Sequence, residues 1–182
     1  MGILAKSLTG DYEVLLDDAF RLAIPRSLRT VLDLRTSVDK TKLVLTRGPD
    51  PCIRLYAVDD FEERLEELNQ IDPDFSEGRE ILRQNIFHVC EVDKQGRVVI
   101  PPELRKYAGL LKDCKVLGLI KYVEIWDAAR KAEYECTEEQ YKDISERFAI
   151  SKKKKGLSSG GNSAHAGTVG GNHTVSCAEG QG

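Results

Sequence analysis

No run of apolar residues in this 182-residue chain approaches the ~20 that a helix needs to cross a bilayer. The opening stretch, MGILAKSLTGDYEV, lacks the apolar core of a signal peptide. Its first seven residues resemble the loose N-myristoylation pattern, with Gly2 and a serine, Ser7, near position six, but so short a pattern matches many chains and carries little weight. The five cysteines (Cys52, Cys90, Cys114, Cys136, Cys177) are odd in number, widely spaced and without a CxxC pair. That fits a reduced, cytosolic chain with small buried thiols better than a disulfide framework or a zinc site. Only three histidines occur: His88 lies in a strand pattern, while His165 and His173 fall in a Gly-, Ser- and Asn-rich segment. With no phosphate-cradling glycine loop and no Cys–His or Ser–His arrangement in the body of the chain, no enzyme is expected, and no cofactor or metal.

Charge is present in quantity, at 31% of residues, but unevenly placed. Of 27 basic residues Lys152–Lys155 lie beyond residue 150, as does Glu179 among 30 acidic ones, so residues 1–150 hold 23 against 29 and carry a net charge of −6. Any basic surface on so anionic a body must be segregated onto one face. Residues 151–182 contain almost no large apolar groups and are expected to be a disordered tail, because burial cannot offset the entropy of ordering them. The Lys152–Lys155 run reads as a solvated linker able to add sequence-independent affinity for a polyanion.

What the chain does contain is a repeat. LLDDAFRLAIPRSLR (15–29) and EVDKQGRVVIPPELR (91–105) share Asp, Arg, Ile, Pro, Leu and Arg at an offset of 76, six matches in fifteen where roughly one is expected by chance. RLYAVDDF and VEIWDAAR align at an offset of 70, with Tyr56 opposite Trp126, so a loop insertion separates otherwise matching halves. The repeats are placed at 8–70 and 87–150, with a helical connection over 71–86.

Each half reads in the same order. Strand patterns at 12–17 and 21–24 flank a tight turn and form a hairpin, and Pro25 opens a short helix. Strands follow at 42–47 and 52–58. A helix capped by Asp59 or Asp60 then carries Phe61, Leu65 and Leu68 on one face and a solvated row of Glu62, Glu63, Glu66 and Glu67 on the other. The second half repeats this with strands at 87–93 and 97–100, a helix from Pro102 that Gly109 ends, strands at 114–121 and 122–126, and a helix from Asp127. Thr137 and Gln140 stand at capping-box spacing ahead of a last helix with an apolar stripe of Tyr141, Ile144 and Phe148. One half is too small to bury a good core, so the two are expected to pack together about a pseudo-twofold axis.

The paired D-x-x-x-R followed by an apolar strand and Pro, at Asp17–Arg21 and Asp93–Arg97, sits in matched context: GDYEVLLD upstream, RLYAVDDFEERLEEL between, KYVEIWD downstream. On these residues the chain, over about 8–135, resembles the MraZ family. The resemblance implies an α+β fold of tandem duplicated AbrB-like swapped-hairpin β domains with short flanking helices. It also implies a homo-oligomeric ring, no membrane partner, and transcriptional regulation through double-stranded DNA repeats ahead of the division and cell-wall gene cluster. One departure stands out. Where the family has Gly before the motif Arg, this chain has Gly96 but also Phe20. Left-handed backbone is cheap for Gly and costly for Phe, so the first turn is expected either to take another shape or to give the positive φ to another residue.

Arg21 and Arg97 begin the second strand of each hairpin, and Arg26, Arg29 and Arg105 follow at the strand-to-helix corner. A guanidinium fork suits phosphate oxygens or the O6/N7 edge of guanine, and two-stranded ribbons fit the major groove. The residues alone leave open whether Arg21 and Arg97 face DNA or only brace the turns through Asp17 and Asp93; the resemblance favours DNA. Asp17 and Asp93 then orient the turns, Lys94 offers a phosphate contact, and Tyr56 and Trp126 serve packing. The expected function is a sequence-specific DNA-binding transcriptional regulator, cytoplasmic and associated with the nucleoid, acting also on its own promoter. The alternative is a ring-forming interaction scaffold without specific DNA binding.

Overall fold

The structure, a computed structural model, describes residues 3–37, 39–71 and 87–157. Two compact units divide the chain, Met1–Glu135 and Cys136–Gly182. Among the described residues, the first is built on eight strands. β1 (Leu8–Leu15) pairs with β7 (Asp113–Ile120), β7 with β8 (Tyr122–Asp127), β8 with β4 (Ile53–Ala57), β4 with β3 (Lys42–Arg47), and β3 with β5 (Phe87–Glu91). Every pairing is antiparallel. A second, two-stranded sheet joins β2 (Arg21–Ala23) to β6 (Arg97–Val99).

Exchange each strand for the one four places away, and the order β1-β7-β8-β4-β3-β5 reads the same backwards. The axis of this topological symmetry runs between Leu22 and Val98 in the small sheet and between Arg54 and Glu124 in the large one, since each residue there opposes its own repeat partner. The first strand of each half therefore pairs with a strand of the other half. The hairpin expected over 12–24 is corrected accordingly. Between its two arms only the bridge Leu16↔Leu22 forms, and β2 gives its ladder to β6; the same holds for Val92↔Val98 in the second half. Alternation marks the buried face of a strand but not its partner, and here the partner lies across the axis.

The core follows from the exchange. Leu22, Leu28, Val98, Ile100 and Leu104 from the repeated segments pack with Leu8, Leu45, Ile53, Val116 and Ile125 of the large sheet, all essentially buried. Burying a side chain of this kind contributes about 1.5–3 kcal/mol. α1 (Arg26–Arg35) follows Pro25 and seats Leu28 and Leu32, one turn apart, on that core. α3 (Pro102–Ala108) does the same with Leu104 and Ala108 and stops at Gly109, whose φ of 63° is left-handed. Tyr56 joins Val44 and Phe61 in a smaller cluster, and Trp126 is buried, so both repeat-related aromatics pack inside.

α2 (Val58–Ile71) starts one residue ahead of the expected caps. Asp60 instead grips Arg35 through two hydrogen bonds of 2.6 and 2.5 Å, and Asp59 accepts the Ser37 backbone N–H, tying α2 to the end of α1. The glutamate row is exposed. Of the connection expected over 71–86, residues 72–86 lie outside the described residues. α4 (Ala128–Glu133) is capped by Asp127, whose carboxylate accepts the Ala129 and Arg130 backbone N–H groups.

In the second unit α5 (Glu138–Leu157) opens on a reciprocal capping box: Thr137 N–H to Gln140 Oε1 at 2.9 Å, Gln140 N–H to Thr137 Oγ1 at 3.2 Å. Its stripe of Tyr141, Ile144 and Phe148 is exposed. The helix runs through Lys152–Lys155, seven residues past the boundary expected at 150; residues 158–182 lie outside the described residues. Among the described residues no helix is long and apolar enough to cross a membrane.

Candidate nucleic-acid interface

The two D-x-x-x-R segments fold into one turn built twice. In the first, Asp17 Oδ1 accepts the backbone N–H of Ala19 (2.9 Å) and of Arg21 (2.8 Å), while Oδ2 accepts Arg21 Nε at 2.8 Å. Backbone bonds from Phe20 N–H to Asp17 O and from Asp17 N–H to Arg21 O close the loop. In the second, Asp93 takes Gln95 N–H, Arg97 N–H and Arg97 Nε at 2.9 Å each, and Gly96 N–H reaches Asp93 O. An Asx side chain that mimics a backbone turn needs an acceptor at the first position and N–H groups two and four residues on, which explains the motif's spacing. The backbone N–H of Arg21 acts first, and the Arg21 guanidinium also, to hold the Asp17 carboxyl below its ordinary value; Arg97 does the same for Asp93.

Both turns need left-handed backbone at their fourth residue. Gly96 supplies it at φ 78°, and Phe20 supplies it at φ 59°. This corrects the expectation of a different first turn: the shape is kept, and Phe20 itself carries the positive φ. The hydrogen bonds to Asp17 over-determine the loop, so Phe20 bears the strain.

The halves then lock each other. Ile24 N–H donates to Gly96 O and Ile100 N–H to Phe20 O, each at 2.9 Å, so each turn is fastened to the other half's strand. Arg97 also reaches across, its Nη1 standing 3.6 Å from Asp17 Oδ2. Repeat-related arginines on the two helices cover the opposite turns. Arg29 lies so close to Gly96 that a Cβ there would sit 1.6 Å from its Nη1, and that nitrogen donates to Gln95 O at 3.5 Å. Arg105 lays its guanidinium over the Phe20 ring, 3.4 Å from the centroid, with Nε buried and without a hydrogen-bond partner.

Thus Arg21, Arg97, Arg29, Arg105, Asp17 and Asp93 are brought together at one ribbon, with Lys94 exposed on the second turn and Arg26 exposed in the first turn of α1. Residues 17–29 and 93–105 together hold more cations than carboxylates, a positive surplus on a chain of net charge −3. The two motif arginines differ. Arg21 meets Asp17 through Nε and is 37% exposed; all three guanidinium nitrogens of Arg97 face a carboxylate, and it is 25% exposed. His88 Nε2 stands 2.8 Å from Glu103 Oε1 beside this region, on β5. The residue that sequence reasoning passed over is Phe20, read as a departure in the turn and not as part of its surface. Its signal was there, a bulky residue aligned with a glycine.

The family model described as MraZ protein, antitoxin-like, matches residues 7–84 and 88–152, one block for each repeat. The chain belongs to the MraZ family. MraZ is a regulator-type family, and the tandem match agrees with the mixed α+β fold and its doubled turn. The paired arginine turns of this MraZ chain place donors on a short two-stranded ribbon, held by their own aspartates.

Proposed function

We propose that this chain is a sequence-specific, double-stranded-DNA-binding transcriptional regulator acting on tandem repeats upstream of the division and cell-wall gene cluster, its own promoter included. The observation that carries the reading is the ribbon β2–β6, which holds Arg21 and Arg97 at its two symmetric ends, each hydrogen-bonded to the aspartate of its turn; a two-stranded ribbon of this kind suits the major groove. The strand exchange about the axis is read as the AbrB-type swapped hairpin in tandem. Arg21 is the principal donor, with Lys94 and Arg26 meeting phosphates; Arg29 and Arg105, laid on the opposite turns, have less reach. A homo-oligomeric ring on the nucleoid would multiply modest single-site affinities by effective concentration, provided the box spacing matches.

A second reading, a ring-forming scaffold, is favoured by the carboxylates that neutralise Arg97. Gel shifts on the DNA upstream of the chain's own gene, repeated across salt concentrations, separate the two. The regulator loses affinity steeply with salt, and Arg21→Ala weakens it by about 1–3 kcal/mol per site. Binding that Arg21→Ala leaves unaltered removes the mechanism, and assembly without salt-sensitive binding leaves the scaffold.

A further inference from the structure

Phe20 is unfavourable where it stands. A left-handed backbone is costly for any residue with a Cβ, and glycine serves the same turn in the other half of this chain. Burial does not offset that cost: the ring is 46% exposed and belongs to neither hydrophobic cluster. It is nevertheless held firmly. Its backbone N–H is bound to Asp17 O, its carbonyl to Ile100 N–H, and one ring face lies against the Arg105 guanidinium. A strained, exposed and immobilised aromatic at the tip of a cation-rich ribbon is the pattern of a ligand-touching residue.

We propose that Phe20 is a specificity-determining residue of the first turn, reading thymine through its C5-methyl group in the major groove; this rests on the DNA-binding function proposed above. Three features choose that chemistry. Arg105 on the ring itself, and Arg21 next to Phe20 in the chain and 37% exposed, favour a polyanion over an apolar partner surface. With one face already covered by Arg105, the ring cannot be sandwiched between base pairs as an intercalating wedge, which stacks on both faces. What remains free is the other face and the edge, and the thymine methyl is the one apolar group that a base edge offers in the major groove. The second turn, with Gly96 and the exposed Lys94, has no such group and contributes position without this readout.

The test is a fluorescence titration of the full chain with duplex DNA from upstream of its own gene, and with the same duplex in which deoxyuridine replaces thymidine. The exchange removes only methyl groups. The unaltered chain should bind the uracil duplex about 4-fold more weakly for each thymine methyl that the ring touches. Phe20→Gly, which copies the turn around Gly96, should bind both duplexes equally and keep its salt dependence. Phe20→Asn, a side chain tolerant of left-handed backbone, should do the same. Equal affinity of the unaltered chain for the two duplexes overturns the inference while DNA binding stands, as does a methyl preference that survives in Phe20→Gly. Absence of salt-dependent binding to either duplex overturns the proposed function itself. A change of assembly size in Phe20→Gly by light scattering also overturns the inference, because it puts the ring between copies of the chain.

Discussion

Replacing Glu124 with Gln should strip one charge from the centre of the large sheet at almost constant shape, and the resulting destabilisation can be worked out. Glu124 and Arg54 face each other across the symmetry axis on β8 and β4. Arg54 Nε donates to Glu124 Oε1 at 3.2 Å, Trp126 Nε1 donates to the other carboxylate oxygen at 3.1 Å, and the Arg54 guanidinium lies 4.4 Å from the Tyr122 ring centroid. The two side chains are 17% and 10% exposed. Opposite charges about 4 Å apart attract by about 4 kcal/mol at an effective dielectric of about 20. Breaking a buried pair one-sidedly costs about 3–5 kcal/mol, and the residual exposure here lowers that to about 2–4 kcal/mol. Arg54→Met should cost a similar amount, but the double variant little more than either single one, since neither then leaves an unpaired charge. Urea unfolding at matched protein concentration, followed by the fluorescence of Trp126, the chain's sole tryptophan, yields the cycle. A coupling of about 2 kcal/mol or above is expected. A coupling below about 0.5 kcal/mol, the worth of an exposed surface pair, would refute the assignment of Arg54 and Glu124 as the charge lock between the halves.

Two other outcomes follow from the turns and the sheet. The Asp17 and Asp93 carboxyls titrate below the ordinary 3.8, so the bracing they give is whole above that value and disappears as pH falls through their lower folded-state midpoints; carboxyl NMR midpoints at or above 3.8 would contradict the turn geometry. Gly118→Ala would set a Cβ 2.5 Å from Thr9 N and 2.7 Å from Leu8 C, backbone of β1 that cannot swing aside, and should cost about 1–3 kcal/mol while exposing the β1 amides to hydrogen exchange. Unchanged protection would mean that β1 is not seated on β7 at this register.

The repeat and its turn chemistry were legible because they rest on local rules: an aspartate four residues ahead of an arginine, a proline at a helix start, a threonine and glutamine at capping distance. The strand exchange was not. Period-two alternation says that Leu22 and Val98 point inward, and it is silent on their lying opposite each other across an axis rather than each within its own hairpin. The start of β1 at Leu8 was hidden by Thr9, Gly10 and Asp11, which look like loop and are recruited by the long partner β7. Composition also misplaced the end of α5. Lysine is a good helix former, and the box at Thr137–Gln140 starts a helix that passes straight through Lys152–Lys155. At the candidate site every motif residue could be named in advance. What could not be seen was that Arg29 and Arg105 cross over to the opposite turns, or that Phe20 would accept the glycine conformation.

These crossings explain why the chain keeps two copies that are no longer alike. A pair of identical repeats would set Arg54 against arginine or Glu124 against glutamate on the axis, and would place the same residue at both turn tips. Duplication within one chain frees those positions to diverge. Charges of opposite sign can meet at the axis, Asp18 can stand where the other half has Lys94, and Phe20 where it has Gly96. The hydrogen bonds that shape each turn come from Asp17 and Asp93 and from the backbone, which are the same in both copies, so the tip chemistry could vary while the ribbon stayed intact. The scaffold is symmetric and the surface it presents is not, which gives the ribbon two chemically unlike ends.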